Sequence, residues 1–217
     1  LETQKEKEFW AVNDIELKLK HSWQENPELL HVDLMEPRQR CGLACLEMIT
    51  EYQLDQHIPA AEIFKRAESY EAINDHNDWW HPGQVRVLTS YGLVAWRRNW
   101  TAPSQDPTFL EKNEGYSAPQ MSAVRYQIGL EADRRSLIDK MLLSVHDALE
   151  LGNPVIVSVK TGFSDNRENH QVVIAGFDQT SRSFLVHDPV KPEGPVAISE
   201  HYLAEYANYW AIFSYHA

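Results

Sequence analysis

The sequence predicts an α+β fold, and three observations predict it. A mostly apolar helix opens at Cys41, a second, amphipathic helix spans 137–151, and three short strands follow at 155–159, 171–177 and 183–187. Helices first and antiparallel strands afterwards is the layout in which a helix buries its apolar stripe against one face of a sheet.

The elements follow in order. Residues 1–12 are charged and read as a short helix or a frayed end. From Ile15 to Leu19 apolar residues alternate with Glu16 and Lys18, the period-two signature of a half-buried strand, and Leu30, Val32 and Leu34 alternate in the same way. Over 41–52, Cys41, Ala44, Cys45, Met48, Ile49 and Tyr52 form a helical stripe that Leu43 and Leu46 widen, so most of that helix should be buried. Pro59 starts a helix over 60–67, because its missing N–H costs nothing in a first turn. A polar loop at 74–78 leads to a helix over 83–91 with Gly92 as its stop, then a strand from Leu93 to Trp96. Residues 101–120, with Pro103, Pro107, Gly115 and Pro119, read as an irregular loop of the kind that borders binding sites. Gly152-Asn153-Pro154 ends the 137–151 helix. Asp178-Gln179-Thr180-Ser181-Arg182 joins the second and third strands as a hairpin, Ser199 caps a short helix to Tyr206, and 209–215 closes as a strand. We read 1–217 as one domain, with 1–29 an N-terminal extension.

The chain has 217 residues, of which 43% are hydrophobic, enough for one medium-sized core. Its net charge of −12 argues against nucleic acid or an anionic membrane as the main partner, and no apolar run reaches the length of a membrane span. The chain opens on Leu1 rather than Met, which leaves room for a removed signal peptide. The two cysteines, Cys41 and Cys45, stand four apart on one helix face, a spacing that rarely suits a disulfide, so a reducing compartment such as the cytoplasm is favoured. Composition sets no oligomeric state.

The chemistry gathers on three residues. A helix N-terminus offers unpaired N–H groups and partial positive charge, which favour a thiolate; Cys41 sits there, while Cys45 lies a turn inside and reads as a buried small hydrophobe. Gly42 lets the backbone approach a substrate closely, and the Cys41 N–H points to where an oxyanion would form. His170 opens an apolar strand and Asp188 ends the next, so the carboxylate can accept the second ring N–H and fix the imidazole. Cysteine, histidine and aspartate in this chain order suit a nucleophile, its base and an orienting partner. Trp79-Trp80-His81 reads either as an aromatic wall of a cleft or as core tryptophans, the core being favoured. His76 and His81 with Asp75 and Asp78 match no zinc spacing, and Ser158 and Ser164 lack a nucleophile-elbow context. His187 is turned to the opposite face from Asp188 by strand alternation.

The blocks Cys41-Gly42-Leu43-Ala44-Cys45-Leu46, His170-Gln171-Val172-Val173-Ile174-Ala175-Gly176-Phe177-Asp178 and His187-Asp188-Pro189 together resemble the papain-like cysteine peptidases related to the bacteriocin-leader-processing endopeptidases. The resemblance covers roughly residues 30 to 215. It implies a papain-like fold with the cysteine helix packed on the sheet, Cys41 as nucleophile, His170 as general base and acid, Asp188 as orienting residue, a peptide or protein substrate, and no metal or organic cofactor. Relatives usually carry an oxyanion-hole glutamine about six residues before the cysteine, where this chain has Met35. Gln39 is the candidate donor here, with another donor or an incomplete hole as the alternatives; an incomplete hole costs on the order of 10²–10³ in rate. The expected reaction is hydrolysis of a peptide or amide bond. Acyl transfer to an amine by the same triad, and a non-catalytic peptide-binding module of the same fold, are the rivals.

Overall fold

The computed structural model describes residues 15–22, 40–74, 78–100, 134–160 and 169–216. The alternating segment at 30–34, the 101–120 loop, Met35, Gln39, Asp75, His76 and Ser164 lie outside the described residues.

The described strands form one antiparallel sheet. β1 (Ile15–Glu16), β2 (Leu93–Asn99), β3 (Val155–Lys160), β4 (Asn169–Asp178), β5 (Ser183–His187), β6 (Val196–Ser199) and β7 (Ala207–His216) are arranged in the order β2-β7-β3-β4-β5-β6, with β1 on β4. Every pairing is antiparallel. β3 and β4 are buried along almost their whole length, as expected of central strands covered on both faces. The five helices of the described residues are α1 (Cys41–Leu54), α2 (Ala60–Ser69), α3 (His81–Ser90), α4 (Arg134–Glu150) and α5 (Glu200–Tyr206).

Two cores sit on this sheet. One joins α1, α2 and α3 to Leu93, Ile156, Val173 and Ile212. The other joins α4 and α5 to Val155, Val157, Val172, Ile174 and Phe213. Neighbouring residues of β3 and β4 therefore divide between the cores, as side-chain alternation requires.

Expected elements and observed ones differ mainly at their ends. The 41–52 helix runs on to Leu54, and α3 begins two residues earlier than expected, with Pro82 in its first turn. β2 extends to Asn99 because β7 pairs with it along its whole length. The alternating stretch from Ile15 yields only a two-residue strand, after which the Leu17 N–H still bonds the Ala175 carbonyl at 2.8 Å. Gly176 makes that approach possible, since a Cβ there would run into the Ile15 carbonyl oxygen. The chain then crosses towards the far end of the sheet, where the His21 ring donates from Nε2 to the Lys191 carbonyl at 2.6 Å and the Ser22 hydroxyl bonds the Glu47 carboxylate of α1. Residues 15–22 thus pack on the sheet and on α1. β6 has no counterpart in the expected elements: its four residues alternate between half-buried and exposed, too short a pattern to stand out.

Candidate active site

α1 begins at Cys41, and no side chain caps its N-terminus. The first helical bond of the chain there is the Ala44 N–H to the Arg40 carbonyl at 3.0 Å, so the N–H groups ahead of it have no partner within the helix. Ten successive residues of α1, Cys41 to Thr50, are buried, which fixes the helix rigidly and its first residue with it. Cys41 is 6% exposed and Cys45 is fully enclosed. Burial, then the negative charges of Cys41 and Asp188, push the Cys45 thiol up, which keeps it protonated and matches its reading as a buried small hydrophobe.

His170 is the second residue of β4, opposite Val159 of β3, and Asp188 follows the last residue of β5. The structure brings these two together. His170 Nε2 lies 2.6 Å from Asp188 Oδ1, both side chains almost fully buried. Cys41 lies close enough to act on the same ring electrostatically. Burial pulls the His170 pKa down, but hydrogen bonds to Asp188 and Cys41 and their negative charges outweigh it and raise it to about 9. Burial likewise tends to raise Asp188; the bond and charge of His170, the Val190 N–H at 3.0 Å and the Lys191 charge hold it below the usual carboxylate range. A turn of backbone after Asp188 helps fix the carboxylate: the Lys191 N–H bonds the Asp188 carbonyl at 2.9 Å.

Gly42 serves a different purpose from the expected one. A Cβ at this position would fall within the Trp79 indole, so the glycine lets that ring lie against the start of α1. Trp79 and Trp80 are half-buried, with Trp79 packed at the edge of the α1 core, which makes Trp79 both core and neighbour of the site. His81 packs against Trp210 in a tilted contact, 5.2 Å between ring centres, and burial and the Arg97 charge lower its pKa to about 4. His187, beside Asp188, meets His21 with their Nδ1 atoms 3.2 Å apart; burial and the His21 charge lower it to about 4.

Sequence reasoning missed one feature beside the site. Gln84 of α3 and Gln171 of β4 exchange two amide hydrogen bonds, 2.8 and 2.9 Å long, deep in the protein. The available signal was a polar residue at the buried start of an apolar strand. Among the described residues, Glu47 and Glu51 of α1 and His57 just after it bring metal-type atoms within 4.8 Å of one another. Glu47 accepts from the Ser22 hydroxyl, and Glu51 meets the His57 ring and the Lys20 ammonium.

With this geometry in view, the comparisons with known proteins are specific. A family model, the Peptidase_C39 like family, matches residues 16–217. The chain belongs to that family. It is a family of cysteine peptidases, and the papain-like α+β fold expected from the sequence is the fold observed. No curated protein matches the sequence.

Solved structures agree on the fold. A C39-like peptidase from Bacillus anthracis is 13% identical, with a TM-score of 0.54, over 94% of this chain and 98% of that one. A double glycine motif protease from an AMS/PCAT transporter, solved in complex with its leader peptide, is 14% identical with a TM-score of 0.51, over 95% of this chain and all of that one. Xylellain, a cysteine protease from Xylella fastidiosa, is 12% identical with a TM-score of 0.50, over 96% and 88%. Among the described residues no helix is long and apolar enough to cross a membrane.

Proposed function

We propose that this C39-like protein is a cysteine peptidase that hydrolyses a peptide or amide bond through an acyl-enzyme on Cys41, and that residues 1–217 act as one peptidase domain. The observation that carries the reading is the enclosed His170, hydrogen-bonded to Asp188 at 2.6 Å and acted on electrostatically by Cys41 at the head of α1. An imidazolium in that position stabilises a thiolate at the head of α1. The thiolate attacks the substrate carbonyl carbon, and the charge that develops on its oxygen faces the open N–H groups at the helix start. His170 gives its proton to the leaving amine as the C–N bond breaks, leaving a thioester and a neutral imidazole.

Acylation itself prepares the second half-reaction. Once the sulfur is a thioester, its negative charge and its acceptance of the imidazole proton are gone, and two of the causes that raise His170 vanish with them. Burial then weighs more heavily and pushes the imidazole towards its neutral form, the form that can take a proton from water. Hydroxide equivalent adds to the thioester, the C–S bond breaks, and the proton returns through His170 to the pair. Asp188 keeps the ring oriented throughout. Gln39 is the oxyanion donor we assign beside the Cys41 N–H. A peptide is the substrate class that fits a C39-like peptidase, and the solved relative with its leader peptide supports that choice.

The test is to trap the intermediate. Incubation with a peptide thioester or activated ester, acid quench and intact-mass measurement should show one acyl group on Cys41, absent from Cys41→Ala. Added hydroxylamine should divert it to a hydroxamate; diversion by ordinary amines faster than hydrolysis would move the assignment to acyl transfer, and peptide binding without any acylation would leave only a binding module.

A further inference from the structure

The Gln84–Gln171 pair is the feature the reaction does not use and the fold does not require. Both amides are buried, Gln84 completely and Gln171 to 5% exposure, and each donates to the other, so neither leaves a donor or acceptor orphaned by its partner. Buried amides are expensive to desolvate, and an apolar pair of the same volume would pack the interface with less at stake. What a reciprocal amide pair offers instead is a fixed distance and a fixed rotation between two backbones.

Those backbones are telling. Gln171 is joined to His170 by one peptide bond, near the end of the β3–β4 ladder, whose last pair is Lys160 with Asn169. Strand ends fray, so the imidazole hangs on the weakest part of its strand. Gln84 lies in the first turn of α3, where its own N–H bonds the Trp80 carbonyl at 3.1 Å. Trp79, just ahead of that turn, is the ring lying on Gly42 beside Cys41. The start of α3 therefore touches the cysteine helix with Trp79 and the histidine strand with Gln84.

We infer that Gln84 and Gln171 are positioning residues, which together with the Trp79–Gly42 contact set the spacing between the Cys41 sulfur and the His170 ring. This rests on the cysteine–histidine reading above. A misplacement of about 1 Å at reacting groups costs up to about a hundredfold, so loss of the clamp should register in the chemistry of the pair and not only in stability.

The experiment is the rate of Cys41 alkylation by iodoacetamide from pH 5 to 9, with thermal unfolding measured beside it, in the wild type, His170→Ala, Gln84→Leu and Gln84→Glu. Gln84→Leu should lose about ten- to a hundredfold at neutral pH and bend its pH profile towards that of His170→Ala. Gln84→Glu keeps the length and an acceptor for the Gln171 amide, and should retain most of the wild-type rate. If Gln84→Leu does not fold, the double variant Gln84→Leu/Gln171→Leu, which orphans no amide, is read in the same way. A lowered melting temperature with an unchanged profile overturns the inference and leaves the pair as packing. A wild-type profile identical to that of His170→Ala overturns the cysteine–histidine reading and this inference with it.

Discussion

His170 and His146 are both buried in the same small protein and meet opposite fates. His170 is 3% exposed at the rim of the sheet, and its pKa rises to about 9. His146, equally enclosed on α4, packs against the Phe177 and Phe184 rings at 4.1 and 4.9 Å, and its pKa falls to about 4. Burial disfavours the charged ring at both places. At His146 the Arg182 charge adds to it; at His170 a carboxylate and a thiol reverse it. Enclosure alone does not make a histidine functional, and the neighbours within hydrogen-bonding reach decide which form survives at neutral pH.

The largest effects should separate the two regions by what they damage. His170→Ala should cut turnover of any substrate by about 10²–10⁴, with the fold retained by circular dichroism; a variant with near-wild-type turnover would remove His170 from the chemistry. Phe177→Ala, on the His146 side, should cost about 3–5 kcal/mol of unfolding free energy in denaturant titrations. At temperatures where that variant is folded, its Cys41 alkylation should match the wild type, because the Phe177 cluster lies away from the thiol.

A smaller pair of effects appears in stability against pH, with opposite signs. The folded pKa of His81, His146 and His187, about 4 for each, lies below the ordinary 6.5. The unfolded chain therefore binds more protons between those values, and stability should fall as pH drops from about 6.5 to about 4. His170 works the other way. Its folded pKa of about 9 lies above 6.5, so its contribution is complete below 6.5 and is lost as pH rises to about 9. Urea titrations across pH should show both flanks; His146→Leu should soften only the acid one, and Asp188→Asn should flatten the alkaline one.

The smallest effect belongs to the second cysteine. Cys45→Ala should leave turnover unchanged and destabilise the protein slightly, and thiol labelling of the folded wild type should stop at one equivalent. Two equivalents would mean that the α1 core opens far more readily than its packing suggests.

Much of this was legible in the chain. Cys41 could be placed because an apolar stripe with no polar interruption fixes where a helix starts, and its thiol falls on the first turn. His170 and Asp188 could be paired because consecutive antiparallel strands bring the start of one beside the end of the next. Less legible were features that depend on contacts between remote segments. Gly42 reads as room for a substrate, and only the folded chain shows the Trp79 ring in that space. Gln84 and Gln171 are 87 positions apart, and an amide in an amphipathic helix looks like any solvated residue until its partner is seen. The short strand β6 and the crossing of 17–22 carry too few residues for a periodicity to emerge.

One observation bears on the three residues at once: the titration of the His170 ring, followed by NMR in protein with labelled histidine. A hydrogen-bonded cysteine, histidine and aspartate should give a ring that titrates near 9, and in Asp188→Asn and Cys41→Ala the same resonance should move to lower pH. A His170 that titrates near 4 beside His146 in the wild type, and does not move in either variant, would mean that sulfur, imidazole and carboxylate do not form one site.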